Sequence, residues 1–143
     1  ERGRGHIVFV GSLSGKVGGA GSAVYSASKF GLRGLALSLR EDLRPSGVGV
    51  SLVHPGFIRD AGMFAATGIR LPFGVGTRSP HDVARAVLRA LRDDPEEIEV
   101  ASLEQRLGTM IAQWSPGLSH RMERWLGGEA IGKAIVEAQR QAR

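Results

Sequence analysis

The amino-acid sequence predicts an α/β fold in which helices pack on both faces of a parallel, doubly wound sheet. A continuous apolar run at residues 7–10 is typical of a strand inside such a sheet. Residues 23–44 then show helical periodicity, and a second apolar segment at residues 48–53 follows after a short turn. Strand, long helix and strand in this order form a βαβ unit, whose strands are parallel and whose crossover is right-handed.

The first half of the chain justifies this prediction element by element. Residues 7–10 predict a strand that is buried on both faces, and the Gly- and Ser-rich residues 11–22 predict a loop. The helix that follows ends at the Pro-Ser-Gly sequence of residues 45–47. Its sheet-facing side is predicted by an apolar stripe made of Leu32, Leu35, Leu39 and Leu43.

The second crossover helix has a clear start signal. Ser79 is a good N-cap, Pro80 suits the first helical position and Asp82 places an acid in the first turn. This helix is expected to end near residue 92, and a third strand is predicted at residues 97–101.

The remaining segments divide the chain into two parts. Residues 1–102 are expected to form the sheet and its crossover helices, with an irregular stretch at residues 57–77. Residues 103–143 are predicted to form a helical C-terminal extension, interrupted near residues 115–117 and 127–128.

Composition narrows the function classes. A chain of 143 residues with net charge +5 is long enough for one domain with a real core. Its arginines are scattered among acidic residues instead of forming a basic stripe, so we expect no nucleic-acid partner. The chain has no cysteine and no apolar run near the ~20 residues of a membrane span. We therefore expect a cytoplasmic protein without a membrane partner.

The predicted sheet has an unprotected edge. A strand as apolar as residues 7–10 needs neighbours on both sides, because an open hydrophobic edge favours aggregation. The sequence supplies too few strands for this. We expect either that the natural polypeptide is longer at its N-terminus or that another chain completes the sheet.

Tyr25 and Lys29 stand four residues apart and therefore on one side of one helical turn. An ordinary phenol ionises only near pH 10. A cation about 4–5 Å away, at an effective dielectric constant of ~20, favours the phenolate by roughly 3–4 kcal/mol. This pairing is suited to general acid–base catalysis. By itself the spacing is weak evidence, because Tyr and Lys fall four apart in many helices by chance.

Two further features flank this pair. Ser12 follows the first strand at its carboxyl end, the edge where open α/β sheets bind ligands, and residues 55–58 (Pro-Gly-Phe-Ile) leave the next strand at the same edge. Strand, Ser, Gly-rich loop, Tyr-x-x-x-Lys helix, strand and Pro-Gly together resemble the short-chain dehydrogenases/reductases. The resemblance covers residues 6–63 and implies the C-terminal portion of a Rossmann-type domain, with extra C-terminal helices.

The resemblance also implies roles for these residues. Tyr25 would exchange a proton with the oxygen of a carbonyl or alcohol substrate, Lys29 would favour the ionised phenol and bind the nicotinamide ribose, and Ser12 would hold the substrate oxygen. NAD or NADP would supply the hydride chemistry. The remaining contacts with the cofactor would come from Pro55, Gly56, Phe57 and Ile58. A homo-oligomer is also implied.

The sequence departs from the family pattern in two ways. Asp60 occupies a place where the family commonly has a threonine that touches the cofactor. In addition, the family's glycine-rich dinucleotide fingerprint lies N-terminal to everything in this sequence. We therefore expect the dinucleotide-binding half to be absent, and residues 1–143 alone to be inactive.

Three other sequence patterns do not predict a functional site. Residues 11–16 (GSLSGK) are one residue short of a phosphate loop and lack a Ser or Thr after Lys16. Residues 93–97 are interpreted as a solvated acidic turn around Pro95. The histidines lack metal-ligand spacing, so we predict no metal site and interpret each one as a surface or helix-end residue: His6, His54, His81 and His120.

Several alternatives stay open. The apolar residues Met63, Phe64, Ile69, Leu71 and Phe73 fit either a hydrophobic substrate or ordinary packing. Core or subunit packing is the favoured interpretation of the apolar residues of the C-terminal helices, and contact with a membrane surface is the less favoured alternative. These residues are Met110, Trp114, Leu118, Met122, Trp125 and Leu126. The alternative to an enzyme is a truncated, non-catalytic dimerisation or binding module. Cofactor preference, substrate and reaction direction are not determined by the sequence.

Overall fold

The computed structural model describes residues 4–71, 74–125, 132–134 and 136–138. Short 3-10 turns at Leu13–Gly15 and Arg44–Ser46 accompany the main elements. In chain order these elements are β1 (Gly5–Val10), α1 (Ala23–Leu43), β2 (Val48–Pro55), α2 (Gly62–Ala65), α3 (Pro80–Asp93), β3 (Glu97–Val100), α4 (Leu103–Trp114) and α5 (Pro116–Trp125).

The three strands form one parallel sheet in the order β1-β2-β3. Val10 of β1 pairs with Val53, and Pro55 of β2 pairs with Val100 of β3. The carboxyl ends of all three strands therefore lie at one edge of the sheet, which we call the carboxyl edge. The opposite edge, where the strands begin, is the amino edge.

Apolar side chains cover both faces of the sheet, as a doubly wound fold requires. On one face, α1 packs over a core made of Ala36, Val50 and Leu52, with Phe9, Leu32, Leu39 and Leu43 around it. On the other face, α3 packs over Val53, Ala86, Ala90, Ile98 and Val100, with Val8, Val83 and Val87 around them. The predicted α/β class and the helix-on-both-faces arrangement are confirmed.

The predicted stripe of α1 is wrong at one position. Leu35 is 54% exposed, and Ala36 is the fully packed residue at the centre of the helix face. Leu32, Ala36 and Leu39 follow one another at spacings of four and three, which keeps them on one side of a 3.6-residue helix. At this centre Ala36 packs directly against Val50 and Leu52 of β2.

The start of α3 is confirmed in detail. Ser79 accepts a hydrogen bond from the Asp82 backbone N–H, and the Asp82 carboxylate accepts from the Ser79 backbone N–H, which completes a capping box. These bonds, led by the backbone N–H of Ser79, hold the pKa of Asp82 well below its ordinary value, with a further contribution from Arg85. Pro80 occupies the first turn, as predicted.

Two expectations about burial are not met. β1 pairs along one edge only within the described ranges, and Val10 is 48% exposed, so this strand is not buried on both faces here. In the C-terminal helices the predicted apolar residues that the structure describes are exposed, with Trp114 and Trp125 the most open, while Thr109 and Ala112 are buried. Core packing is therefore wrong for these residues, and subunit packing stays a prediction. Leu126 and residues 127–128 lie outside the described residues, as does Phe73.

Residues 103–125 form two helices, α4 and α5, instead of one continuous helix. α4 ends at Trp114, and α5 begins at Pro116, which confirms the predicted interruption at residues 115–117. None of the helices in the described ranges is long and apolar enough to cross a membrane.

Candidate functional site

Ser12 stands immediately beyond β1, at the carboxyl edge of the sheet. It caps the 3-10 turn Leu13–Gly15, and its side-chain oxygen accepts a hydrogen bond from the Ser14 backbone N–H at 3.1 Å. The preceding residue, Gly11, donates its N–H to the carbonyl of Val53 at 2.8 Å. Ser12 is therefore anchored on both sides by backbone hydrogen bonds. Its hydroxyl proton is not used in any bond among the described residues.

Tyr25 and Lys29 lie in the first two turns of α1, and both are half-buried. Lys29 Nζ lies 5.6 Å from the centroid of the Tyr25 ring. Within the described part of the chain, Lys29 Nζ makes no hydrogen bond or ion pair. Tyr25 and Lys29 thus lie on one side of one helical turn, with the ammonium group over the aromatic ring.

Gly15 joins the Ser12 turn to the Tyr25–Lys29 helix. A Cβ atom at Gly15 would lie 2.7 Å from the Lys29 carbonyl oxygen, well inside van der Waals contact. Only glycine allows so close an approach of the two backbones. The turn that follows Ser12 therefore rests on α1 at the level of Lys29.

The Pro-Gly segment follows β2 at the same edge. Pro55 is the last residue of β2, Gly56 donates its N–H to the Val100 carbonyl at 2.9 Å, and Phe57 donates its N–H to Gln105 Oε1 at 3.2 Å. Ile58 forms an isolated parallel bridge with Arg78. The backbone N–H groups of Gly56 and Phe57, two residues expected to contact a cofactor, thus already donate hydrogen bonds within the chain.

Asp60 occupies a left-handed backbone position, with φ of 71°. Its carboxylate is largely exposed and lies 3.3 Å from Arg59 Nε. The side chain thus forms its ion pair at the protein surface.

His54 is the main residue that the sequence analysis misplaced. It was expected at the surface or at a helix end, whereas it is fully buried in β2. Its Nδ1 lies 2.9 Å from the Ser12 carbonyl oxygen, and its Nε2 lies 2.8 Å from Glu97 Oε1. His54 therefore connects the Ser12 backbone to the first residue of β3.

Glu97 was expected in a solvated turn, and this too is wrong. Its side chain is 19% exposed, and Arg33 donates to both carboxylate oxygens, at 2.7 and 3.2 Å. Lys16 Nζ lies 3.0 Å from Glu97 Oε2. Burial by itself would raise the pKa of Glu97, but the hydrogen bonds from His54, Arg33 and Lys16 outweigh it and hold the pKa well below its ordinary value.

Lys16 is the buried cation of this group. Its side chain is 8% exposed and bridges Glu97 and Glu99, whose Oε1 lies 2.9 Å from Nζ. A signal for this arrangement was present in β3, where Glu97 and Glu99 alternate with apolar residues and so share one face of the strand. We call Lys16, Arg33, His54, Glu97 and Glu99 the carboxyl-edge cluster.

A second polar group lies at the amino edge. Ser51 donates its hydroxyl to the Pro95 carbonyl, and its oxygen lies 3.0 Å from His6 Nε2. Arg40 Nη1 lies 2.6 Å from Asp94 Oδ1, which in turn lies 3.7 Å from His6 Nδ1. We call His6, Arg40, Ser51 and Asp94 the amino-edge cluster.

The amino-edge cluster places Ser, His and Asp in the order of a nucleophilic triad, but it cannot act as one. Ser51 is fully buried, and its hydroxyl proton is donated to the Pro95 carbonyl.

The other histidines, His81 and His120, are exposed. Among the described residues, no group of three or more His, Cys, Asp or Glu side chains is arranged to hold a metal ion.

Comparison with known proteins agrees with this geometry. A family model for short chain dehydrogenases matches residues 1–69. The ketoacyl reductase HetN of Nostoc sp. is 36% identical over 132 residues, which cover 89% of this chain and 46% of that protein. The 1-deoxy-11-beta-hydroxypentalenate dehydrogenase of Streptomyces exfoliatus is 45% identical over 98 residues, covering 66% of this chain and 34% of that protein.

Solved structures share the fold as well. The crystal structure of a short chain dehydrogenase from Burkholderia cenocepacia in complex with NADP superposes with a TM-score of 0.65 at 26% identity. That superposition covers 81% of this chain and 47% of the solved chain. The chain thus spans less than half the length of the proteins it matches. Sequence, sheet topology and residue spacing together establish that the chain belongs to the short-chain dehydrogenase family.

Proposed function

We propose that the chain is the C-terminal part of an NAD(P)-dependent oxidoreductase that interconverts a carbonyl and an alcohol by hydride transfer. The observation that carries this proposal is the Tyr25–Lys29 pair on one turn of α1, against which the Ser12 turn packs through Gly15. The Burkholderia relative, solved with NADP, supports the same class of cofactor. NAD and NADP both remain compatible with the residues present.

Tyr25 is the proposed proton donor in reduction and the acceptor in oxidation. The Lys29 ammonium lies over its ring, 5.6 Å from the ring centroid. Ser12 would donate its hydroxyl proton to the substrate oxygen, because its own oxygen already accepts from Ser14. Negative charge that develops on the substrate oxygen would then be stabilised by two hydroxyl groups.

The residues present fit the nicotinamide end of a dinucleotide. The Lys29 ammonium has no hydrogen-bond acceptor within the described residues, so its donors are available for the ribose hydroxyls. Pro55, Gly56, Phe57 and Ile58 would line the nicotinamide, although the N–H groups of Gly56 and Phe57 already donate to Val100 and Gln105. The cofactor, when bound, supplies the hydride.

The segment after β2 supports a hydrophobic substrate. The rings of Phe57 and Phe64 pack with centroids 4.8 Å apart, and Met63 beside them is exposed. This apolar surface continues directly from the Pro-Gly segment, so it would lie next to the reacting carbon.

We also propose that the enzyme is a cytoplasmic homo-oligomer and that residues 1–143 alone do not turn over. Partner binding is supported by large apolar side chains of α1 that are exposed, which are Val24, Phe30 and Leu35. The same exposed residues also support the second candidate function, a non-catalytic binding module. Reduction of a carbonyl compound by the gene product would exclude that second candidate.

A Tyr25→Phe variant of the gene product that carries these residues tests the assignment. Because the variant removes the phenolic proton and keeps the ring, we expect turnover to fall by about 100- to 10,000-fold. The measurement is oxidation of NADH or NADPH with a panel of ketones and aldehydes that includes ethyl acetoacetate. Ser28→Ala serves as the matched control, because the exposed Ser28 hydroxyl only donates to the Tyr25 carbonyl. Near-normal turnover of Tyr25→Phe would contradict the assignment.

A further inference from the structure

We propose that His54 is a positioning residue that holds Ser12 in place by donating hydrogen bonds from both ring nitrogens, and that it is an imidazolium in the folded protein. The functional half of this inference rests on the proposed reaction, in which Ser12 binds the substrate oxygen. His54 itself is fully buried and acts through the Ser12 backbone.

Both partners of His54 can only accept. The Ser12 carbonyl oxygen, 2.9 Å from Nδ1, has no proton to give. Glu97 Oε1, 2.8 Å from Nε2, belongs to a carboxylate that also receives donors from Arg33 and Lys16. Three donor groups converge on Glu97, so it is the ionised form that fits. A neutral imidazole would direct one lone pair at an acceptor, whereas the imidazolium satisfies both contacts.

The charges around His54 accommodate this cation. The charged groups of its network are Lys16 from the turn after Ser12, Arg33 from α1, and Glu97 and Glu99 from β3. Arg106 of α4 adds an ion pair to Glu99 at 3.2 Å. Each carboxylate thus bonds to two or more cationic groups, and the imidazolium occupies one of the donor positions on Glu97.

Ser12 depends on this contact for its placement. Its carbonyl is bonded to His54, while its side-chain oxygen is bonded to Ser14 and the next turn rests on α1 through Gly15. The Ser12 carbonyl also accepts from the Gly15 N–H at 2.9 Å, so removing the imidazole donor takes away its hydrogen bond to β2 and leaves the bond within the turn. The Ser12 hydroxyl would then shift relative to Tyr25, and a displacement of about 1 Å at a reacting group can lower turnover by about 100-fold.

His6 provides an internal contrast. The Ser51 hydroxyl donates to Pro95, so its oxygen accepts from His6 Nε2–H, and His6 Nδ1 is 3.7 Å from Asp94, beyond hydrogen-bond distance. One ring proton therefore satisfies His6, and its contacts do not require a charge. The two histidines are partly or fully buried in the same sheet but differ in the number of acceptors they face.

Two amide substitutions separate the two contacts of His54. The amide nitrogen of Asn lies near the position of Nδ1, and that of Gln lies near the position of Nε2. His54→Asn therefore keeps a donor for Ser12 and loses Glu97, whereas His54→Gln keeps a donor for Glu97 and loses Ser12. If His54 only stabilised the fold, the turnover of each variant would fall in proportion to its loss of stability. A positioning role predicts that His54→Gln loses much more turnover than His54→Asn.

The experiment measures kcat and cofactor KM for both variants in the gene product, together with urea denaturation. We expect kcat of His54→Gln to fall by about 10- to 100-fold, kcat of His54→Asn to fall by about threefold or less, and cofactor KM to stay nearly constant. His6→Asn at the amino edge is the control for loss of a packed histidine and should leave kcat unchanged. Equal kcat in the two His54 variants would overturn the positioning role.

A second readout does not depend on activity. In the ¹⁵N-labelled wild-type protein, both ring nitrogens of His54 should show the chemical shifts of an imidazolium near neutral pH, assigned by their loss in His54→Asn. A neutral ring would overturn the inference. If the wild-type protein reduces no carbonyl compound, the proposed function fails, and the imidazole resonances then decide the protonation and bonding of His54 on their own.

Discussion

The two polar clusters at opposite edges of the sheet use the same chemistry in different surroundings. Arg33 and Arg40 are seven residues apart on α1, about 10 Å along the helix axis, and each pairs with an acid near the start of β3. Glu97, the partner of Arg33, is 19% exposed, whereas Asp94, the partner of Arg40, is 51% exposed. The two arginines are similarly buried, at 28% exposure for Arg33 and 21% for Arg40, so the difference lies in the acids: Glu97 is enclosed among further charges, and Asp94 is half open to solvent.

This difference determines how much each ion pair matters. An exposed pair is screened by water and salt, so its loss costs about 0–1 kcal/mol. A buried carboxylate that neutralises two or three cations is different, because removing it leaves those cations desolvated and unpaired. Both pairs join an arginine of α1 to an acid near β3, but their contributions to the free energy of unfolding differ because the acids differ in burial.

The largest expected effect comes from neutralising the acid at each edge. Glu97→Gln should lower the free energy of unfolding by about 3 kcal/mol, because Lys16, Arg33 and His54 lose their common anion. Asp94→Asn, the matched change at the amino edge, should lower it by about 1 kcal/mol or less. Urea denaturation of the gene product measures both. Equal losses would show that burial does not distinguish the two edges.

Double-mutant cycles sharpen the comparison. We expect a coupling of about 2 kcal/mol between Arg33 and Glu97 and of about 0.5 kcal/mol between Arg40 and Asp94. Raising NaCl from about 0.1 M to about 1 M shortens the screening length from about 10 Å to about 3 Å. The Arg40–Asp94 coupling should therefore vanish at high salt while most of the Arg33–Glu97 coupling remains. A parallel decrease of both couplings would contradict the difference in burial.

The smallest expected effect is a difference in acid sensitivity. A carboxyl with a lowered pKa in the folded protein contributes stability that is complete above about pH 5 and is lost as the pH falls through the folded value. Glu97 and Asp94 both have lowered pKa values, the latter mainly through the hydrogen bond from Arg40.

Unfolding measured between about pH 6 and about pH 3 tests this expectation. The stability difference between wild type and Glu97→Gln should narrow as the pH falls, because Glu97 takes up a proton in the unfolded chain while the folded carboxylate, with its lowered pKa, stays ionised. The corresponding narrowing for Asp94→Asn should be smaller, since solvent screens the exposed Asp94 in the folded state. A gap that stays constant or widens for Glu97→Gln would contradict a lowered pKa for Glu97.

Sequence reasoning works best where the signal is local. The capping box of Ser79 and Asp82 lies within four residues, and the start of α3 follows from it. The α1 stripe was predicted with one error, because leucine at position 35 was preferred over Ala36 on hydrophobicity alone. How close a helix lies to its sheet decides which residue is central, and the sequence does not show that distance.

The candidate site divides in the same way. Ser12, Tyr25 and Lys29 were identified by their spacing and by their places after a strand and in a helix, although their catalytic roles remain a prediction. The buried partners were missed, because His54 and Glu97 are separated by 43 residues and meet only through the β2–β3 register. No sequence pattern links a single histidine in one strand to an acidic residue 43 positions later.

The sequence by itself determined the order of strands and helices, the caps and the family, because these depend on periodicity and spacing within a few residues. The tertiary structure decided which charges are buried. Lys16 meets Glu99 across 83 residues of chain, because the turn after β1 lies against the face of β3 that carries Glu97 and Glu99. Burial and pairing arise from that packing, because the cost of a charge depends on its surroundings and not on its neighbours in sequence.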